Sequence, residues 1–135
     1  MKIEFVAGVT PIVPDAQEGT AFYRDLLGLP LEGEGDYLSS DALAGVKHLG
    51  VWPLSMAAHT CFGTYDWPDA YPVPQATIEF EMADEAAVAE AAAELEAQGQ
   101  RLIHGAKTET WGQTVARLSG PEGLLIGLAY TPWMH

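Results

Sequence analysis

At 135 residues, 48% of them apolar, the chain is long enough to bury roughly two-thirds of its unfolded surface, which excludes an intrinsically disordered protein. Nineteen acidic residues against six Lys and Arg leave a net charge of −13. That balance excludes nucleic-acid phosphates and anionic membranes as natural partners and favours cationic ligands, although solubility alone also accounts for it. Cys61 stands alone, MKIEFVAGV lacks the apolar run of a signal peptide, and no stretch approaches a membrane helix, so a cytoplasmic chain without an intrachain disulfide is expected.

The first element is a strand over Ile3–Val13, rich in β-branched and aromatic residues and broken late by Pro11. Asp15 is placed to cap a helix through QEGTAFYRDLL, where Phe22, Tyr23, Leu26 and Leu27 form one apolar face and Gly28 ends the helix. Gly19 interrupts it at a cost of ~1 kcal/mol relative to Ala, with nothing in the sequence to explain it. LEGEGDYLSS, VKHLGVWPLS and HTCFGTY read as three short strands. The Pro-rich stretch Asp66–Gln75 reads as an extended linker.

The order then repeats. ATIEFEMAD is an alternating strand, Asp84 caps a second helix through EAAVAEAAAELEAQG, and three more strands follow in RLIHGAKTE, GQTVARLSG and LLIGLAYTP. The halves align with Asp15 on Asp84, Val9 on Ile78, Val13 on Met82 and Leu26 on Leu95. Each half reads β-α-β-β-β. One helix covers one face of such a sheet, and two modules side by side curve into a cup lined by the uncovered faces. The expected fold is α+β: a single domain over 1–135, with module 1 at 1–65, the linker at 66–75 and module 2 at 76–135.

FYRDLLGLPL, the doubled βαβββ order and the closing SGPEGLLIGL resemble the vicinal oxygen chelate superfamily, which groups glyoxalases, bleomycin-resistance proteins and ring-cleaving dioxygenases. The resemblance spans nearly the whole chain. The segment Trp111–His135 is also similar to that of small actinobacterial-type members. The family implies paired modules, a homodimer, and a divalent metal held in the cup by His, Gln or Glu, with Lewis-acid polarisation and proton transfer or oxygen activation as its chemistry. Carried over one at a time, the ligand positions fall on Gly8, Thr77 and Gly127. Glycine has no side chain and a threonine hydroxyl is a poor ligand, so no metal and no cofactor are expected. The two glycines leave the floor of the cup open to a bulky ligand.

Alternation sorts the remaining side chains. Thr77, Glu79 and Glu81 share the cup face of their strand, with Glu81 nearer the rim and solvated, while Ile78, Phe80 and Met82 lie under the helix. Gln113, Val115 and Arg117 face the cup, and Trp111 shares their side at its mouth. In VKHLGVW either His48, Gly50 and Trp52 or the opposite set points inward; the first is preferred because it makes a polar-aromatic wall. Glu79 is either ion-paired with Arg117 or acts as a base or counter-charge. His48 is either a hydrogen-bonded structural histidine or a proton carrier or replacement metal ligand. Trp52, Trp67, Trp111 and Trp133 can stack on flat ligands or serve core and dimer packing.

The expected ligand set is thus His48, Trp52, Trp67, Thr77, Glu79, Trp111, Gln113, Arg117 and Gly127, with Glu79 and His48 as catalytic candidates. The expected function is a metal-free homodimer that binds a small cationic or aromatic molecule, as in antibiotic sequestration. Two alternatives stand beside it. One is a lyase, isomerase or dioxygenase with a metal shifted to His48 and Glu79; the other is an interaction module whose cup its own side chains fill.

Overall fold

The alternating segments become one open mixed sheet in the computed structural model, which describes residues 1–135. Its strands are β1 (Phe5–Val13), β2 (Leu38–Ser40), β3 (His48–Pro53), β4 (Ala76–Glu81), β5 (Leu102–Thr108), β6 (Thr114–Ser119) and β7 (Leu125–Tyr130). Their lateral order is β2-β3-β1-β4-β7-β6-β5. The leading strands of the two halves, β1 and β4, pair antiparallel at the centre, and each has a parallel neighbour, β3 beside β1 and β7 beside β4. The helices are α1 (Ala16–Gly19, continuing as a π-helix over Thr20–Leu26), α2 (Leu54–Phe62) and α3 (Glu85–Ala97). The fold is α+β, and none of its helices is long and apolar enough to cross a membrane.

Both expected caps form. The Asp15 carboxylate accepts the Gln17 and Glu18 N–H groups, and that of Asp84 accepts the Ala87 N–H, satisfying donors that the first helical turn leaves open. On the convex face α3 buries Val88, Ala91 and Ala92 against Met82, Ala116 and Leu128, with Phe80 packed alongside. Phe80 and Met82 are thus under the helix as strand alternation expects, whereas Ile78, expected beside them, lies outside this cluster.

Gly19 now has an explanation. A Cβ there would lie 2.8 Å from Val13 Cγ2 and 3.1 Å from Val51 Cγ1, so only glycine lets α1 settle this closely on β1 and β3. Beyond it the helix departs from expectation. Leu27 N–H donates to Phe22 O, a π-type bond, and the wider turn breaks the i, i+4 stripe. Tyr23 still packs with Leu31, Leu38 and Val51, whereas Phe22, Leu26 and Leu27 are exposed.

The larger departure is α2. VKHLGVWPLS and HTCFGTY were expected as consecutive strands, but β3 stops at Pro53 and a nine-residue helix follows. Leu54, Met56, Ala57 and Ala58 are good helix formers, and Gly63 at φ 79° closes the helix in the left-handed conformation. α2 buries Ala57 and Cys61 against Ile12, Trp52 and Leu125. These residues belong to the concave face, so the first half contributes three strands instead of four and a helix plugs one end of the cup.

Candidate functional site

Cross-strand register puts six residues on one rung of the sheet. His48 lies beside Gly8, Gly8 beside Glu79, Glu79 beside Gly127, Gly127 beside Arg117, and Arg117 beside His104. Neighbours on a rung point to the same face, so the concave floor alternates side chain and glycine from His48 to Arg117. Each glycine makes room for its neighbour. A Cβ on Gly127 would lie 3.1 Å from Glu79 Cγ and 3.5 Å from its Oε2; a Cβ on Gly8 would lie 3.1 Å from His48 O and 3.6 Å from its Cδ2.

A cavity of about 410 Å³ opens over this rung. Seven of the nine residues nominated from the sequence line it: His48, Trp52, Thr77, Glu79, Trp111, Gln113 and Arg117. The preferred inward set of β3 is therefore the one observed. Gly127 is covered by Glu79. Trp67 is not part of the lining; its ring packs edge-on against Phe62 and its N–H donates to Tyr71 O and Pro72 O, which holds down the linker stretch.

Glu79 is half-buried, and its Oε1 accepts from Gln113 Nε2 at 3.0 Å. The Trp111 indole donates to Gln113 Oε1 at 3.1 Å, which fixes the amide so that Nε2 serves Glu79 and the Thr131 hydroxyl. The expected ion pair between Glu79 and Arg117 does not form. Arg117 turns instead to Glu109, donating from Nη1 to Oε1 at 2.8 Å, because the loop between β5 and β6 brings that carboxylate onto the buried guanidinium. The same Nη1 donates to His104 Nε2 at 3.1 Å. Burial foremost, and Arg117 and Lys107 after it, lower the His104 pKa to about 4, so the ring is neutral at pH 7. Its Nδ1–H donates to Gly105 O and Nε2 is left as an acceptor.

Glu81 also differs from expectation. It is fully buried instead of solvated, because the C-terminal segment folds over it. Its Oε2 accepts the Thr131 N–H and lies 2.8 Å from His135 Nε2, while Oε1 has no partner.

Two acidic or phenolic groups of the wall escaped the sequence reading. Tyr37 lies across Gly50, with its hydroxyl 2.5 Å from His48 Nε2, and Asp41 Oδ1 is 2.6 Å from His48 Nδ1. A carboxylate only accepts, so Nδ1 carries the hydrogen, and in the neutral ring Nε2 accepts from Tyr37 O–H. Burial foremost, then the charge of Glu79, raises the Tyr37 pKa and keeps the hydroxyl protonated. Both nitrogens of His48 are thus engaged. The rest of the lining comes from Thr10, from Met56 and Thr60 of α2, and from Thr131, Trp133 and Met134 beyond β7. Gly50, a glycine inside a strand, is the one sequence signal that an aromatic ring crosses β3. Cys61 lies on the buried side of α2, and burial raises its thiol pKa, as suits a packing residue.

The architecture is thus a helix-backed open sheet with a polar, aromatic-walled cavity on its concave face. The family model for the Glyoxalase/Bleomycin resistance protein/Dioxygenase superfamily matches residues 6–128, and the chain belongs to that superfamily. Among solved structures it is similar to a superfamily member from Vibrio splendidus 12B01, at 14% identity and TM-score 0.58 over 96% of this chain and 100% of that one. A methylmalonyl-CoA epimerase from Streptomyces coelicolor, bound to 2-nitronate-propionyl-CoA, gives 16% identity and TM-score 0.56 over 97% and 96%. The Mn(II)-bound glyoxalase from Novosphingobium aromaticivorans gives 16% and 0.58 over 93% of this chain and 37% of that one. At these identities the likeness carries the fold alone. No curated protein matches the chain.

Proposed function

We propose that the protein binds a small aromatic cation in the cup, with Glu79 as the counter-charge and Trp52, Trp111 and Trp133 as the walls. One observation carries this: a half-buried carboxylate on the cavity floor has an amide as its hydrogen-bond partner and no cationic side chain as an ion-pair partner. A carboxylate withdrawn from water favours a charge partner, and indole faces attract cations. The volume of about 410 Å³ suits a drug-sized ligand and speaks against an interaction module with a filled cup. The charge of −13 steers cations towards the site. Sequestration of a cationic antibiotic is the role this favours. The exposed Phe22, Leu26, Val6 and Val9 outside the cup support the homodimer that the family resemblance implies.

The donors in the cup do not fit the metal that the family implies. Gly8 and Gly127 offer no side-chain ligand, His48 spends both nitrogens on Asp41 and Tyr37, and no group of three His, Cys, Asp or Glu side chains converges. The test is calorimetric titration with tryptamine and with bleomycin, beside thermal melts in Zn²⁺, Mn²⁺, Ni²⁺ and Fe²⁺. Tryptamine binding that weakens about tenfold in Glu79→Gln is expected, the size of one charge-assisted contact. A cation present at a hundred times its Kd adds ~2.7 kcal/mol to the melt. Absence of binding, binding indifferent to Glu79, or a metal-induced shift lost in His48→Ala overturns the proposal.

A further inference from the structure

The cavity has a second charged group whose bonding is unfinished. Arg117 is 1% exposed yet lines the cup. All its hydrogen bonds leave from Nη1, towards His104 and Glu109. Its Nε has no partner, and none of its bonds uses Nη2. The Nε–Nη2 edge is the fork that takes a carboxylate with two parallel bonds. Nearby, Thr77 also lines the cavity, and its buried Oγ1 is unpartnered too.

Two cations compete for one carboxylate beside this edge. Lys107 and Arg117 share the single carboxylate of Glu109, at 3.7 and 2.8 Å, and His104 is neutral. Across Gly127 stands Glu79, held away from Arg117 by Gln113. Two strand spacings, ~9.6 Å of backbone, separate them. The floor therefore presents an anion and a cation that do not neutralise each other, side by side below indole walls, with Arg117 Cζ 5.9 Å from the Trp52 ring centroid.

We propose that the Arg117 edge is a carboxylate site, so that the ligand of this cup is an aromatic zwitterion of amino-acid type: its ammonium on Glu79, its carboxylate on Arg117, its ring against Trp52. This rests on Glu79 being the cation site and adds the second charge. A ligand carboxylate completes the bonding of a buried guanidinium, which is costly to leave unmade. It also explains why the protein keeps a buried arginine beside an acidic floor without pairing the two.

The experiment is calorimetric titration of the wild-type protein with three indoles: L-tryptophan, tryptamine, which lacks the carboxylate, and indole-3-propionate, which lacks the ammonium. Tryptophan binding about tenfold or more tighter than either analogue is expected. Arg117→Gln removes the advantage over tryptamine, and Glu79→Gln removes the advantage over indole-3-propionate. If tryptamine binds as tightly as tryptophan and loses affinity in Glu79→Gln, the cation site stands and the carboxylate site is overturned. If none of the three binds, both fall. If tryptophan keeps its advantage in a folded Arg117→Gln, the assignment to Arg117 is overturned. Should that variant not fold, the wild-type series still decides, together with the Arg Nε–H resonance in ¹⁵N spectra. It moves with tryptophan and indole-3-propionate and stays with tryptamine; a resonance that ignores the carboxylate ligands overturns the proposal.

Discussion

Gly50→Ala is expected to destabilise the protein by about 2 kcal/mol, the opposite of what the substitution does in an ordinary strand. Alanine normally gains roughly 0.5–1 kcal/mol over glycine inside a strand, because glycine loses more backbone freedom on folding. Here the new Cβ would lie 2.8 Å from Tyr37 Cζ and 3.0 Å from its Cε1, and closer still to the hydroxyl. A rigid ring cannot give way by rotating a flexible end, so it must leave its place. Overpacking costs about 1–3 kcal/mol, and the lost bond from Tyr37 O–H to His48 adds about 1 kcal/mol. At this chain length the net loss lowers Tm by roughly 8 °C. Urea unfolding and melting read the loss, and near-ultraviolet dichroism reads the displaced Tyr37. Tyr37→Phe costs part of the same bond, so the double variant loses less than the sum of the single ones. A Gly50→Ala protein as stable as the wild type, or more so, refutes the packing of Tyr37 across β3.

Two further outcomes follow from the same geometry. Gly19→Ala, which would stabilise an exposed helix by ~1 kcal/mol, is expected to destabilise this one, because its Cβ meets Val13 at 2.8 Å and Val51 at 3.1 Å; equilibrium unfolding gives the sign. His104 has its pKa lowered from 6.5 to about 4, so its contribution to stability is complete above pH 6.5 and is lost as pH falls towards 4. The ring is not fully buried, and screening reduces the effect to about 1–2 kcal/mol. His104→Gln should flatten the stability profile between pH 6.5 and 5, and an unchanged slope there contradicts the buried neutral ring.

The concave face of the second half was legible because period-two alternation is strict in ATIEFE and because Gln113 and Arg117 share one parity in GQTVARL. One correct parity placed Thr77, Glu79, Gln113 and Arg117 together. The strand-then-helix start of each half, with Asp15 and Asp84 as caps, was likewise legible, although the first half has one strand fewer than the doubled order requires. What alternation cannot supply is pairing between segments far apart in the chain. Glu109 sits eight residues from Arg117 in a loop whose return direction only the folded sheet defines. Tyr37 and Asp41 flank a three-residue strand too short to show a period. α2 was misread because Thr60, Phe62 and Tyr65 favour strands, whereas burial against Ile12, Trp52 and Leu125 made the helix the better solution. Gly19 was a puzzle in the sequence, and the meaning of Gly50 was invisible there, because the atoms they avoid belong to other elements.

The two borders of the open sheet also bear on association between copies of this chain. An open sheet has two free borders, and unpaired backbone there is a template for association with other chains. One border here is β2, only three residues long. The other, β5, carries two register irregularities and Lys107. Neither offers a long flat ladder. The seven-stranded sheet thus limits edge-to-edge pairing without closing into a barrel, and its concave face stays open.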